Sequence, residues 1–113
     1  MYYEDGGETC AAEKRVRSVS GQNVTTWSRD ITSCCCMRVE AGTNGPQGGD
    51  WGHGNRVFLR LENLGGTGYY CKVDGNEFEC PDSIELVLGG DCELDCIKDA
   101  LRWWLSILEA RTE

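Results

Sequence analysis

Residues 89–110, GGDCELDCIKDALRWWLSILEA, shift the apolar periodicity of the chain from two to three-and-four, and that shift decides the fold class. Gly89-Gly90 ends the segment before it, Asp91 stands at the N-cap position, and Glu93 and Asp95 fall in the first turn, where carboxylates complement the helix macrodipole. The pattern predicts a helix over residues 92–110. Leu94, Ile97, Leu101, Trp104, Leu105 and Leu108 recur at three- and four-residue intervals and form a stripe for the core. Cys92, Cys96, Ala100, Trp103 and Ile107 widen the apolar arc to roughly 220°, at about 100° per residue. One sheet on one side of the helix covers only about half of that arc. The excess predicts a second contact. Cys96, Ala100, Trp103 and Ile107 are assigned to an oligomer interface, that of a homodimer, because most oligomers are symmetric dimers and aromatic residues are enriched at their contacts. The competing expectation is that the N-terminal segment of the same chain folds back over Trp103.

Upstream of the helix the pattern is that of strands. Residues 25–40 are rich in β-branched residues and cysteine and read as one long strand. Trp27, Ile31, Cys35, Met37 and Val39 share one parity and are expected to face the core. Val57, Leu59 and Leu61 alternate inward against Arg60 and Glu62, and residues 69–73 repeat the pattern across Gly65-Gly66-Thr67-Gly68, a hairpin signal. Asp74-Gly75-Asn76 is a turn, residues 77–80 a short extended piece, Pro81-Asp82 a break, and residues 83–88 the last strand. Residues 42–55 hold six glycines and Pro46, which predicts one long loop. Residues 1–12 are expected to be loosely ordered, with order beginning near Glu13. Strands first and helix last predict a single α+β domain over residues 1–113, a mostly antiparallel sheet of about five strands packed on one C-terminal helix.

The formal charge of −8 is local. Between Asp74 and Asp99 there are nine carboxylates and one basic residue, Lys98, whereas residues 1–73 carry eight acidic and eight basic side chains. Such a segment attracts a basic protein or a cation and repels a nucleic-acid backbone, so no nucleic acid is expected as partner. Glu79, Asp82, Asp91, Glu93 and Asp95 are its partner-binding candidates. No run of about 18 apolar residues exists, and the opening MYYEDGGET lacks the basic and apolar regions of a leader, so neither membrane insertion nor export is expected. Cytoplasmic residence then implies reduced cysteines, although eight in so short a chain also suit a secreted disulfide scaffold, and Asn23-Val24-Thr25 is a formal glycosylation acceptor.

The residues that could carry chemistry do not assemble into a motif. Cys92 and Cys96 stand at i and i+4, with Cys71 and Cys80 as complements, but their intervals miss the paired spacing of zinc ribbons. Buried packing is the expected role of these thiols, with no metal and no cofactor. Cys34-Cys35-Cys36 in a strand would alternate between faces and lacks the Cys-x-x-Cys turn of a redox centre. The acidic residues around Asp74 and Asp91 do not follow the calcium-loop order. His53, the single histidine, lies with Trp51 among the loop glycines, an arrangement suited to a segment that orders upon a partner. No Gly-x-Ser-x-Gly, His-Glu-x-x-His or phosphate-binding loop is present. The expected function is that of a small acidic non-enzymatic interaction protein, of the kind represented by inhibitors, immunity proteins and accessory proteins of phages and other mobile elements. The alternative is a small-molecule or metal-binding domain, or a small enzyme, with its site near His53 and the glycine-rich loop.

Overall fold

A computed structural model describes residues 12–112. Its elements are β1 (Glu13–Val19), β2 (Gln22–Ile31), β3 (Cys36–Thr43), β4 (Val57–Gly65), β5 (Tyr70–Val73), β6 (Asn76–Glu79), β7 (Ser83–Leu88) and the helix α1 (Asp91–Ala110). Five strands form one antiparallel sheet in the order β1-β2-β3-β4-β7, while β5 and β6 pair with each other alone. This is the expected α+β architecture, with the sheet first and one helix at the C-terminal end. The first strand begins at Glu13; residues 1–11 of the N-terminal end, expected to be loosely ordered, lie outside the described residues.

Two connections depart from the sequence reading. The segment 25–40 is two strands, because the chain reverses at residues 32–35 and Ile31 comes opposite Met37. A single strand of that length would exceed the usual limit of about 10 residues. The second departure concerns β5, which pairs with β6 through the Asp74-Gly75 turn and not with β4. Asp74 and Gly75 both have positive φ, 51° and 82°, the backbone of a tight two-residue hairpin turn. Ser20-Gly21 (φ 45° and 87°) makes the same turn between β1 and β2.

The pairing register sorts the sheet into two unlike faces. On one face lie Arg15, Arg17 and Val19 of β1, Val24, Thr26, Ser28 and Asp30 of β2, Arg38 and Glu40 of β3, Phe58, Arg60 and Glu62 of β4, and Glu85 and Val87 of β7. Val19, Val24 and Phe58 are buried there with Val87 packed against them. Next to this small cluster, Glu40 accepts hydrogen bonds from Arg17 Nε at 2.5 Å, Arg17 Nη2 at 2.8 Å and Thr26 Oγ1 at 2.6 Å. The ladder continues through Arg38 with Asp30 and through Arg60 with Glu62 and Glu85. Gly42 sits in this face because a Cβ there would meet the Thr25 carbonyl and Thr26 Cα, so β2 and β3 approach too closely for a side chain.

The opposite face is mostly apolar and partly open, with Lys14 and Arg29 at its β1–β2 side and Val57 buried at one end. Trp27, Ala41, Leu59 and Leu86 form one row across β2, β3, β4 and β7, and Val39, Leu61 and Ile84 form the next. Trp27 is 52% exposed and Leu86 52%. Trp27, Ile31, Met37 and Val39 therefore do share a face, as their parity requires, but it is the open one, and Cys35 belongs to the β2–β3 turn. Parity assigns side chains to faces; it does not say which face is covered.

Candidate interaction surfaces

The helix leaves the sheet through a hydrogen-bonded clasp made by the glycine-rich segment. Asn55, fully buried, donates from Nδ2 to the Gly45 carbonyl at 2.5 Å and accepts the Gly90 N–H on Oδ1 at 3.0 Å. Asn44 accepts the Arg56 N–H and donates to the Gly54 carbonyl, both at 2.8 Å. The Asp91 N–H donates to the Gly49 carbonyl. Its carboxylate turns back onto the loop, accepting from Gln47 N at 2.8 Å and Gly48 N at 2.9 Å. Asp91 is thus the first helical residue and not the N-cap, which is Gly90 with φ 120°. An L side chain strains at that φ, and Glu93 already lies against Gly90.

Trp51 and His53 sit on a short 3-10 turn inside this clasp. Asp50 caps the turn by accepting from Gly52 N, and Gly54 closes it in the left-handed region at φ 97°. The His53 Nδ1 meets Asp50 Oδ1 at 3.2 Å, and that hydrogen bond with the one from Gly52 holds the Asp50 carboxyl below its ordinary value. Trp51 stacks on the Arg56 guanidinium, 3.7 Å from the ring centroid, and packs on Gly89, where no Cβ would fit. Arg56 is itself buried and donates to the carbonyls of Ser20, Trp51 and Asn55. The expected long loop is therefore shorter, with Gly42 and Thr43 inside β3, and its conformation is built by the chain's own amides and not by a partner.

The acidic candidates fall at two places. Glu79 ends β6 and Asp82 precedes β7, while Asp91, Glu93 and Asp95 begin α1. The six residues of β7 separate the two groups by about 20 Å of extended chain. Asp91 is engaged by the loop amides, which leaves Glu79, Asp82, Glu93 and Asp95 exposed.

Along α1, burial is confined to the root. Leu94 is buried and Ile97 and Ala100 are half-buried, but every residue from Leu101 to Ala110 is exposed. The expected core stripe thus leaves the sheet: Leu101 is 40% exposed, Trp104 58%, Leu105 55% and Leu108 63%. Of the residues assigned to an oligomer contact, Cys96, Trp103 and Ile107 are exposed and Ala100 is half-buried. The fold-back of the N-terminal segment over Trp103 lies outside the described residues. The clasp sets the direction of the first turn, and every residue beyond Ala100 up to Ala110 is exposed.

Among the described residues, no three His, Cys, Asp or Glu side chains converge to hold a metal, so Cys71, Cys80, Cys92 and Cys96 form no ligand set. Cys34 and Cys35 lie in the β2–β3 turn and Cys36 opens β3, so the three do not alternate along one strand. The seven described cysteines are free thiols. No helix among the described residues is long and apolar enough to cross a membrane. Sequence reasoning missed Asn44, Asn55 and Arg56, the residues that build the clasp. Asn44-Gly45 and Gly54-Asn55 were the available signals, since asparagine beside glycine is a turn marker whose amide bonds nearby backbone. No protein-family model, curated protein or solved structure matches this chain, so its surfaces stand on their own geometry.

Proposed function

We propose that this chain is a small acidic interaction protein, without catalytic chemistry of its own, that works as a homodimer in a reducing cytoplasm. It holds a basic protein partner through its exposed acidic groups, as an inhibitor, immunity protein or accessory protein of a mobile element does. The observation that carries the reading is the second half of α1, where Leu101, Trp103, Trp104, Leu105, Ile107 and Leu108 are all exposed within eight residues. Soluble monomers rarely present so large a contiguous apolar surface, and aromatic residues at its centre are the composition of a protein contact. Glu79 and Asp82 at one end of β7, and Glu93 and Asp95 at the other, supply negative charge outside that surface and favour a basic partner. Exposed Cys34, Cys80, Cys92 and Cys96 suit a compartment that keeps thiols reduced. The alternative of a site at His53 is disfavoured because His53, Asp50 and Trp51 are engaged in ordering their own turn.

Sedimentation velocity over a roughly hundredfold range of concentration tests the dimer. The expected result is a species of twice 12.5 kDa that dissociates on dilution, with the masses read under reducing conditions. A single 12.5 kDa species throughout the range overturns the reading.

A further inference from the structure

Two apolar surfaces lie open in one chain, and they are of complementary kinds. One is the sheet face built from Trp27, Ala41, Leu59 and Leu86 with Val39, Leu61 and Ile84, where Arg29 completes the second row, Val39, Leu59 and Leu61 are half-buried and Trp27, Ala41, Ile84 and Leu86 are exposed. The other is the helix arm beyond Ala100. A helix stripe is the usual cover for an apolar sheet face, so each surface is what the other lacks. The arm does not cover its own sheet: Trp27, Ile84 and Leu86 remain 52%, 37% and 52% exposed. Its direction is set at the root, where Gly90 and Asp91 are tied to Asn55, Gly49, Gln47 and Gly48, and turning back would break those bonds.

We infer that two copies exchange their C-terminal helices, the arm of each lying across the apolar sheet face of the other. This deepens the dimer reading above and rests on it. Leu101, Trp104, Leu105 and Leu108 form the stripe that meets the partner sheet, and Trp103 and Ile107, on the neighbouring stripe, line the side of the arm next to the twofold axis. The exposed parts of these six helix side chains and of Val16, Trp27, Ile84 and Leu86 amount to on the order of 1,000 Å² per protomer. Reciprocal burial then approaches about 2,000 Å² in total, within the range of stable specific interfaces. The free half of the helix, ten residues or about 15 Å, spans about three strands at a spacing of about 4.8 Å. Geometry and area thus agree on a second copy as the occupant.

Complementation between two variants tests the exchange. Leu105→Asp/Leu108→Asp breaks the arm, and Trp27→Asp/Leu86→Asp breaks the sheet face; all four positions are exposed, and circular dichroism checks that each variant keeps its fold. Each variant alone is expected to dissociate, with affinity lowered at least about 100-fold, as for loss of buried anchors. Mixed, they form a heterodimer, because the intact arm of the face variant meets the intact face of the arm variant. Native mass spectrometry resolves the mixed species. A wild-type dimer with no mixed species overturns the exchange and leaves the interaction reading in place. A wild-type monomer overturns both. Should the face variant fail to fold, Ile84→Asp, at the edge strand β7, replaces it with the same expected outcomes.

Discussion

Replacing Glu40 by glutamine removes one negative charge from a side chain that is 1% exposed, while leaving its shape almost unchanged. The carboxylate receives three hydrogen bonds, two from Arg17 at 2.5 and 2.8 Å and one from Thr26 at 2.6 Å. A hydrogen bond to a charged group contributes about 1.5–3 kcal/mol net, and breaking a fully buried pair costs about 3–5 kcal/mol. The Arg17 side chain is 28% exposed, so water recovers part of the loss and the expected cost of Glu40→Gln is about 2–3 kcal/mol. With a urea slope of about 1.3 kcal/mol/M, the midpoint falls by about 2 M. The assay is equilibrium urea unfolding followed by far-UV circular dichroism at fixed protomer concentration, since association would otherwise shift the midpoint.

The pH dependence of that gap follows from the same site. Burial pushes the Glu40 carboxyl up, but the hydrogen bonds from Arg17 and Thr26 outweigh it and hold the group below its ordinary value of 4.5. A lowered folded value means that the carboxylate stabilises the fold above the ordinary value and that this contribution is lost as pH falls through the folded one. The advantage of the wild type over Glu40→Gln is therefore full at pH 7 and shrinks below 4.5. A midpoint change equivalent to under about 0.5 kcal/mol at pH 7, or a gap that persists undiminished at about pH 2, refutes the claim that the ladder on this face holds the sheet together.

Three further outcomes are expected. Asn55→Ala strands the Gly90 N–H and the Gly45 carbonyl and costs about 2–3 kcal/mol, read as lost hydrogen-exchange protection at Gly90 in step with a lower unfolding midpoint. Gly42→Ala drives a methyl group against the Thr25 carbonyl and Thr26, so thermal unfolding should show a loss of about 1–3 kcal/mol. A two-state dimer also unfolds at a temperature that depends on its concentration. Tenfold dilution changes the free energy by about 1.4 kcal/mol and should lower the midpoint by about 3 °C, a shift that calorimetry resolves and a monomer does not show.

The elements of the fold were legible wherever local chemistry is strong. The helix followed from its three- and four-residue spacing, and the β5–β6 turn from Asp74-Gly75-Asn76. Partners across the sheet were less legible, because alternation in residues 69–73 fits any neighbouring strand and β6 was the nearer one. Ser20-Gly21 carried a turn signal that the valines on either side obscured. The clasp was hidden for a different reason. Six glycines and Pro46 read as freedom, yet the side chains of Asn44, Asn55 and Asp91 turn that freedom into a defined path by bonding backbone groups far along the chain. Neighbours in sequence do not encode such bonds.

The same distinction bears on what the folded unit is. Among the described residues, the buried apolar side chains are Val19, Val24, Val57, Phe58 and Leu94, a small core for a chain of 113 residues that carries 40% hydrophobic residues. Apart from Trp51, Leu64, Tyr70, Val73 and Phe78, the exposed large apolar residues are not scattered. They lie in register on one sheet face and at helical spacing on one arm, the two patterns that binary sequence design uses for a helix-covered sheet. A sequence patterned for a covered sheet, in a chain whose clasp points the cover elsewhere, is what the exchange proposed above requires. The polar face needs no such partner, since its arginines and carboxylates satisfy one another across the strands. In the proposed dimer, paired charges and a small apolar cluster organise each chain, and the hydrophobic effect joins one chain to the next.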